Sequence, residues 1–463
     1  MGAAQVTDPY LTGNFAPLQS EDDFELEVKG EIPAGLRGAF YRNGPNPQFE
    51  PRDQYHWFAG DGMVHAFFVE DGKVRYRNRY VRTPKWNLEN EAGRALFGTF
   101  GNPMTSDPAA LGKDFGVGNT NAVWHGGHLY ALEEGHQPFE LDPLTLESRG
   151  YAERYVGPVT AHPKLDPETG EMIWFGRHAG DLPLNSLMAF GITDAAGKPT
   201  RRDTFEAPFA SMVHDFLVTS RHALFPILPL TADLQRAMVG GPAYAWEPDK
   251  GSHVGVMRRD GSVDSIRWFT TDACFVFHTM NAWEQNEIIF ADVMEYAAPP
   301  MFPDPDGSME GRTGARLVRW TFDLSDNSNS IKRTPLDDMT GDFPRLDERR
   351  AGLAYRHGWF AGLSHGNVGL AAFDCLSHID LATQQRVDYR FEDGDTPGEP
   401  VFVPRSADAE EGDGWLLTVI YRGASKTSDF AIFDAQNVGA GPIAVAKAPR
   451  RIPFGFHGNW RSA

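Results

Sequence analysis

Apolar and polar positions alternate along this chain in short stretches broken by turn residues. Met63–Val69 and Val74–Val81 flank Glu70-Asp71-Gly72-Lys73, a pattern that predicts a β-hairpin closed by an Asp-Gly turn. Gly127–Glu134, Glu171–His178, Trp415–Arg422 and Asp429–Asp434 have the same strand character. Turns are expected at Asp142-Pro143, Asp166-Pro167-Glu168-Thr169-Gly170, Asp260-Gly261, Asp326-Asn327 and Asp393-Gly394. Helical periodicity is confined to Trp86–Leu96 and Thr231–Val239. Many short strands and few helices predict a sandwich, barrel or propeller. No Pro/Gly/Ser-rich linker or charge run divides the chain. One closed β-architecture over residues 1–463 is therefore expected, with about residues 1–30 as an N-terminal extension. No blade signature repeats every 40–50 residues, so periodicity does not give a blade count.

Composition narrows the picture. Hydrophobic residues at 41% and charged residues at 23%, with 48 Gly and 33 Pro, describe an ordinary, turn-rich globular chain. A formal charge of −20 argues against a nucleic-acid partner held by a basic face. The longest clean apolar run, Ala223–Leu230, is far short of the roughly 20 residues that span a bilayer. No basic residue precedes Lys29, and the 2 cysteines, Cys274 and Cys375, form neither a disulfide framework nor a CxxC site. A cytoplasmic location is expected. Phe225–Leu230, with Leu234, Met238 and Val239, reads either as a tunnel mouth that touches a membrane to collect lipid-soluble substrate or as a buried face. The oligomeric state is not readable.

With so few thiols, metal chemistry has to rest on imidazole and carboxylate. Four of the 15 histidines lie in apolar, strand-like contexts: Ala161-His162-Pro163, Val213-His214-Asp215, Phe277-His278-Thr279 and Phe456-His457-Gly458. A charged imidazolium is costly there, and a neutral one needs a partner. Their wide separations match no local zinc signature but suit strands radiating from a common axis. Neutral nitrogen donors alone leave iron, zinc, copper and nickel open. A rival signal is Gly362-Leu363-Ser364-His365-Gly366, which satisfies G-x-S-x-G with acidic residues and His457 following. Gly366 and Gly369 spoil the helix a nucleophile elbow requires.

Taken together, Phe40-Tyr41-Arg42-Asn43-Gly44-Pro45-Asn46-Pro47, Gly60-Asp61-Gly62-Met63, Asn119-Thr120-Asn121, the four histidine contexts, Asn281-Ala282-Trp283-Glu284 and Glu399-Pro400-Val401-Phe402-Val403 resemble the carotenoid cleavage oxygenase family. The resemblance implies a seven-bladed β-propeller carrying axial Fe(II) on His162, His214, His278 and His457, with O2 as co-substrate. It implies carboxylates behind the ligands at Glu134, Asp342 and Glu399, serving His214, His278 and His457. Asp342 stands where relatives have Glu, so the backbone or a water has to absorb one missing methylene. Thr120 matches a residue that crowds one side of the iron. The implied reaction splits a C=C bond of a hydrophobic alkene into two carbonyl products.

Substrate class divides the family. Members acting on lignostilbenes carry a Tyr and a Lys that hold the phenolic oxygen, and Phe100 and Glu133 resemble those positions. Phenylalanine cannot donate, and glutamate repels a phenolate. Phe58 supplies an aromatic wall in either subclass. The expectation is a carotenoid or apocarotenoid substrate, with a stilbene or alkenyl phenol cleaved to aromatic aldehydes as the alternative. Lys85-Trp86 and Asn102-Pro103-Met104-Thr105 resemble the bacterial stilbene cleavers. A non-catalytic binding propeller has to lose a ligand histidine, and all four are present.

Overall fold

Asp71 and Gly72 both take left-handed φ angles, 50° and 75°, the turn geometry that matches the twist of flanking strands. Gly62–Glu70 and Lys73–Tyr80 accordingly pair in register from Met63↔Tyr80 to Glu70↔Lys73. This hairpin is the middle of one blade in a ring. The computed structural model, which describes residues 8–364 and 373–463, places seven antiparallel sheets of four to six strands around an axis. The fold is the expected seven-bladed β-propeller.

Five blades follow one another along the chain, and the first and last blades close the ring by combining strands from its two ends. Gly458–Ser462 pairs with Gly38–Pro45 on the inner side of the first blade, and Asp23–Glu25 joins its outer side through Lys73–Tyr80. Glu27–Gly30 crosses to the last blade and pairs with Pro442–Ala448. Residues 23–30 are therefore part of two sheets, not the expected N-terminal extension. Further upstream, Tyr10 stacks on Trp57 at 5.7 Å and Phe15 packs against Phe454.

The innermost strands carry the site. They are Asn121–His125, Lys164–Leu165, Leu217–Val218, Phe275–Gln285, Thr340–Leu346, Val401–Pro404 and Gly458–Ser462. Several are only two to five residues long, so the segments just before them reach the axis as loops.

The helices differ from the periodicity reading because capping sets their limits. Pro84–Ala92 starts where the Thr83 side chain accepts from Trp86 N–H and stops at Gly93 (φ 65°). Leu234–Met238 is capped by Asp233, and Leu230–Ala232 before it is a strand paired with Tyr244–Trp246. Phe225, Ile227 and Leu230 are fully buried in the core and form no tunnel mouth. Met238 and Val239 are exposed at 67% and 86%, while Leu234 lines the central cavity. Among the described residues no helix is long and apolar enough to cross a membrane.

Candidate metal centre

His162, His214, His278 and His457 meet on the axis, all buried. Each lies on or within three residues of an innermost strand, in four different blades. Nε2 of His214 is 3.0 Å from that of His162 and 3.2 Å from that of His278, and His278 and His457 stand 3.1 Å apart. Ligand nitrogens about 2.1 Å from one metal are about 3.0 Å apart at a right angle and about 3.4 Å apart at the tetrahedral angle. The spacing fits a centre with right-angled ligands better than a tetrahedral zinc site. Burial, then the neighbouring rings, holds His162 well below its ordinary pKa, and burial brings His457 down to about 4. Both therefore present lone pairs at neutral pH.

Three carboxylates orient three of these rings from behind. His214 Nδ1 pairs with Glu134 Oε1. His278 Nδ1 donates to Asp342 Oδ1 at 2.8 Å, and His457 Nδ1 donates to Glu399 Oε1 at 2.9 Å. A carboxylate on Nδ1 fixes the tautomer that leaves Nε2 free for metal. Burial alone raises the pKa of Glu134 and Glu399, but His214 with Arg177, and Arg345 with His457, outweigh it and bring both to about 2. Arg177 grips Glu134 Oε2 through Nε at 3.0 Å and Nη2 at 2.8 Å. Glu399 Oε2 accepts from Gly458 N–H at 2.8 Å and lies 3.3 Å from Arg345 Nη1.

The short side chain of Asp342 reaches its histidine directly, with the backbone making up the missing methylene. The pairing register shifts between Asp342 and Arg345, and Phe343 takes φ 56°. A bulge of this kind re-aims a side chain. Phe343 then lies against His278, with ring centroids 5.1 Å apart. Tyr296 donates its hydroxyl to the other Asp342 oxygen.

A cavity of about 540 Å³ opens beside the cluster and is lined by His214, His278 and His457, within the usual range for small-molecule sites. Phe58 lies parallel to His214 at 6.3 Å and meets Phe100, Phe277, Phe302 and Phe456 edge-on. Phe100 stacks on His56 at 4.8 Å and on Tyr244 at 5.8 Å. Thr120 also lines the cavity. Its hydroxyl donates to Asn119 Oδ1 at 2.9 Å and its carbonyl accepts from His457 N–H.

Comparison with known proteins agrees with this geometry. The model of the retinal pigment epithelial membrane protein (RPE65) family matches residues 15–462. The chain belongs to this family, the carotenoid cleavage oxygenases. It is 41% identical to an isoeugenol monooxygenase of Pseudomonas nitroreducens over 98% of both chains. It is 37% identical to a lignostilbene-α,β-dioxygenase isozyme of Sphingomonas paucimobilis, over 98% of this chain and 97% of that one. A crystal structure of a lignostilbene dioxygenase from Pseudomonas brassicacearum superposes with a TM-score of 0.94 at 33% identity, covering 100% of both chains.

Within this carotenoid cleavage oxygenase, one feature differs from the sequence reading. Glu133 is not a free repelling charge. Its Oε2 accepts from the Val117 and Gly118 amides at 2.9 and 3.3 Å, and its Oε1 pairs with His136 Nδ1. Burial opposes a charge on His136, but Glu133 outweighs it and raises the pKa of the imidazole. Ser364 Oγ donates to Asp374 at 2.7 Å while His457 serves the axial cluster, so among the described residues the hydrolase arrangement does not assemble, in line with the sequence reading. His365, Gly366 and Gly369 lie outside the described residues. Sequence reasoning also passed over Arg177, Tyr244, Tyr296, Arg345 and His136. Two of them had a local signal: His136 and Arg345 each lie three residues beyond an acid already singled out, Glu133 and Asp342.

Proposed function

We propose that this chain is an Fe(II)-dependent oxygenase that uses O2 to split the C=C bond of an alkenyl phenol or stilbene, giving an aromatic aldehyde and a second carbonyl product. The observation that carries the reading is a four-imidazole cluster, with no carboxylate among its ligand atoms, opening on an aromatic-walled cavity. His162, His214, His278 and His457 would hold the iron, and the chemistry it supplies when bound is activation of O2. Glu134, Asp342 and Glu399 keep three of the Nε2 atoms unprotonated. Phe58, against His214, keeps water from that ring and gives the alkene a flat surface. Thr120, with its hydroxyl tied to Asn119, narrows the approach to the centre.

An aromatic alkene is favoured over the expected polyene for two reasons. The close relatives reported above are named for isoeugenol and lignostilbene, and the electrostatic objection to a phenol fails once Glu133 is paired with His136. The test is anaerobic Fe(II) loading followed by O2 and, in parallel, a 4-hydroxyphenylpropene, a 4-hydroxystilbene and an apocarotenal, with aldehydes read by mass. The phenolic alkenes should give the highest kcat/KM, and His214→Ala and His278→Ala should lose both bound metal and activity. Faster cleavage of the apocarotenal restores the polyene, and full activity in iron-free protein refutes the oxygenase.

A further inference from the structure

A phenol at the end of an otherwise apolar substrate needs a partner once it leaves water, and most interior polar atoms of this cavity are already engaged. Asn119 Nδ2 donates to the Phe58 and Gly60 carbonyls. Lys85 Nζ lies 2.7 Å from both Asp61 and Glu89. Tyr244 Oη accepts from Arg177 at 2.7 Å and contacts His178 Nε2 at 3.3 Å. Nε2 of His56 lacks a hydrogen-bond partner among the described residues, but the atom is sealed from contact with the cavity space, so a substrate oxygen does not reach it.

His136 is different. Its ring lines the cavity, Nδ1 is taken by Glu133, and Nε2 makes no hydrogen bond among the described residues. Glu133 is itself fixed by two backbone N–H groups. The ring is set between the edge of Phe115 at 4.7 Å and the parallel face of Tyr151 at 6.2 Å. A carboxylate-bound imidazole of this kind is oriented in advance, with its second nitrogen presented outward. Neutral, Nε2 accepts from a phenol; charged, it donates to a phenolate.

We infer that His136, held by Glu133, is the specificity residue that receives the phenolic hydroxyl of the substrate. The assignment rests on the alkenyl-phenol reading above. It replaces a repulsion at Glu133 with an attraction one side chain further on.

The test compares a 4-hydroxyphenylpropene with its methyl ether, which has no proton to give, in the iron-loaded wild type and in His136→Phe, His136→Gln and Tyr244→Phe. Calorimetric Kd values for the saturated 4-propylphenol give a readout independent of turnover. In His136→Phe, kcat/KM for the phenol should fall about 5- to 150-fold, the fold-change of one unsatisfied buried hydroxyl. The ether should change by less than about twofold, iron content should hold, and the Kd for 4-propylphenol should weaken by the same factor as kcat/KM. His136→Gln, which keeps an acceptor, should recover part of the loss. An unchanged phenol-to-ether ratio and Kd in His136→Phe overturns the assignment, as does a loss of discrimination in Tyr244→Phe alone. A wild type that cleaves neither compound refutes the alkenyl-phenol reading together with it, whereas cleavage with an unmoved ratio refutes His136 alone.

Discussion

Glu399→Gln should weaken metal binding more than Asp342→Asn, although each change replaces a carboxylate by its own amide. All the groups facing Glu399 donate: His457 Nδ1 at 2.9 Å, Gly458 N–H at 2.8 Å and Arg345 Nη1 at 3.3 Å. A glutamine has one acceptor oxygen and a donating NH2. With its oxygen on His457, the NH2 confronts an amide N–H and a guanidinium. Turned over, the NH2 faces Nδ1 and forces the ring proton onto Nε2, the nitrogen that has to face metal. Asp342 is more forgiving. Its Oδ1 accepts from His278 Nδ1 and Phe343 N–H, both at 2.8 Å, and its other oxygen meets the Tyr296 hydroxyl. An asparagine can keep its oxygen on the first pair and donate to Tyr296, whose hydroxyl can turn to accept. Only the charge is lost, so about a 10-fold loss of affinity is expected, the low end of the cost of removing such a carboxylate. Glu399→Gln leaves in addition at least one buried donor unsatisfied, about 1–3 kcal/mol, which takes the loss to about 50-fold or more. Anaerobic Fe(II) or Co(II) titration against a competing chelator measures both variants, with circular dichroism as the check on folding. An Asp342→Asn variant that binds as weakly as Glu399→Gln would refute the donor-and-acceptor reasoning.

Arg177→Met removes the guanidinium that grips one oxygen of the buried Glu134 carboxylate and should cost about 3–5 kcal/mol of stability, read as a lower urea midpoint; an unchanged midpoint contradicts the pairing in the structure. Burial holds His56 and His378 down at about 4 and His178 at about 3, against about 6.5 in the unfolded chain. Their contribution to stability is full above about 6.5 and is lost as pH falls towards those values; burial lowers His65, His125 and His357 in the same sense, and His136 works the opposite way. Tm of the metal-loaded protein should therefore fall between about pH 7 and pH 5, and a flat profile contradicts the burial of these rings as neutral imidazoles. Ser364→Ala should leave alkene cleavage intact, and its loss would revive the hydrolase.

What the sequence disclosed was the chemistry carried by single residues in distinctive surroundings. The four histidines and the acids at 134, 342 and 399 could be picked out because each lies in a short motif. Blade number was hidden because the innermost strands are as short as Lys164–Leu165 and Leu217–Val218, too brief to show a period. Helix limits were misplaced where capping overruled amphipathicity, at Thr83 and Asp233. Glu133 was weighed as an isolated charge, yet its neutralisation comes from a side chain three residues on and from two amides at 117 and 118 that only the folded loop brings near. Asp342 looked one methylene short, and the compensating bulge at Phe343 has no sequence signature of its own.

The spacing of the axial residues gains meaning once the ring is closed. His162, His214 and His278 are separated by 52 and 64 residues, one blade each, and then 179 residues pass before His457. That gap holds two further innermost strands, and at the matching positions they carry Asp342 and Glu399, which orient the imidazoles on either side of the gap. Seven strands thus offer seven axial positions: four bear the clustered imidazoles and two bear carboxylates behind them. The seventh, just before Asn121–His125, is Thr120, whose hydroxyl is occupied by Asn119. The innermost strand with neither an imidazole nor a carboxylate at its axial end thus presents a residue that lines the cavity, while the same blade supplies Glu134 from beyond its second strand. A site meant for a bare organic alkene and O2 needs such a position, because a seventh charged or ligating side chain would compete with the substrates for the metal.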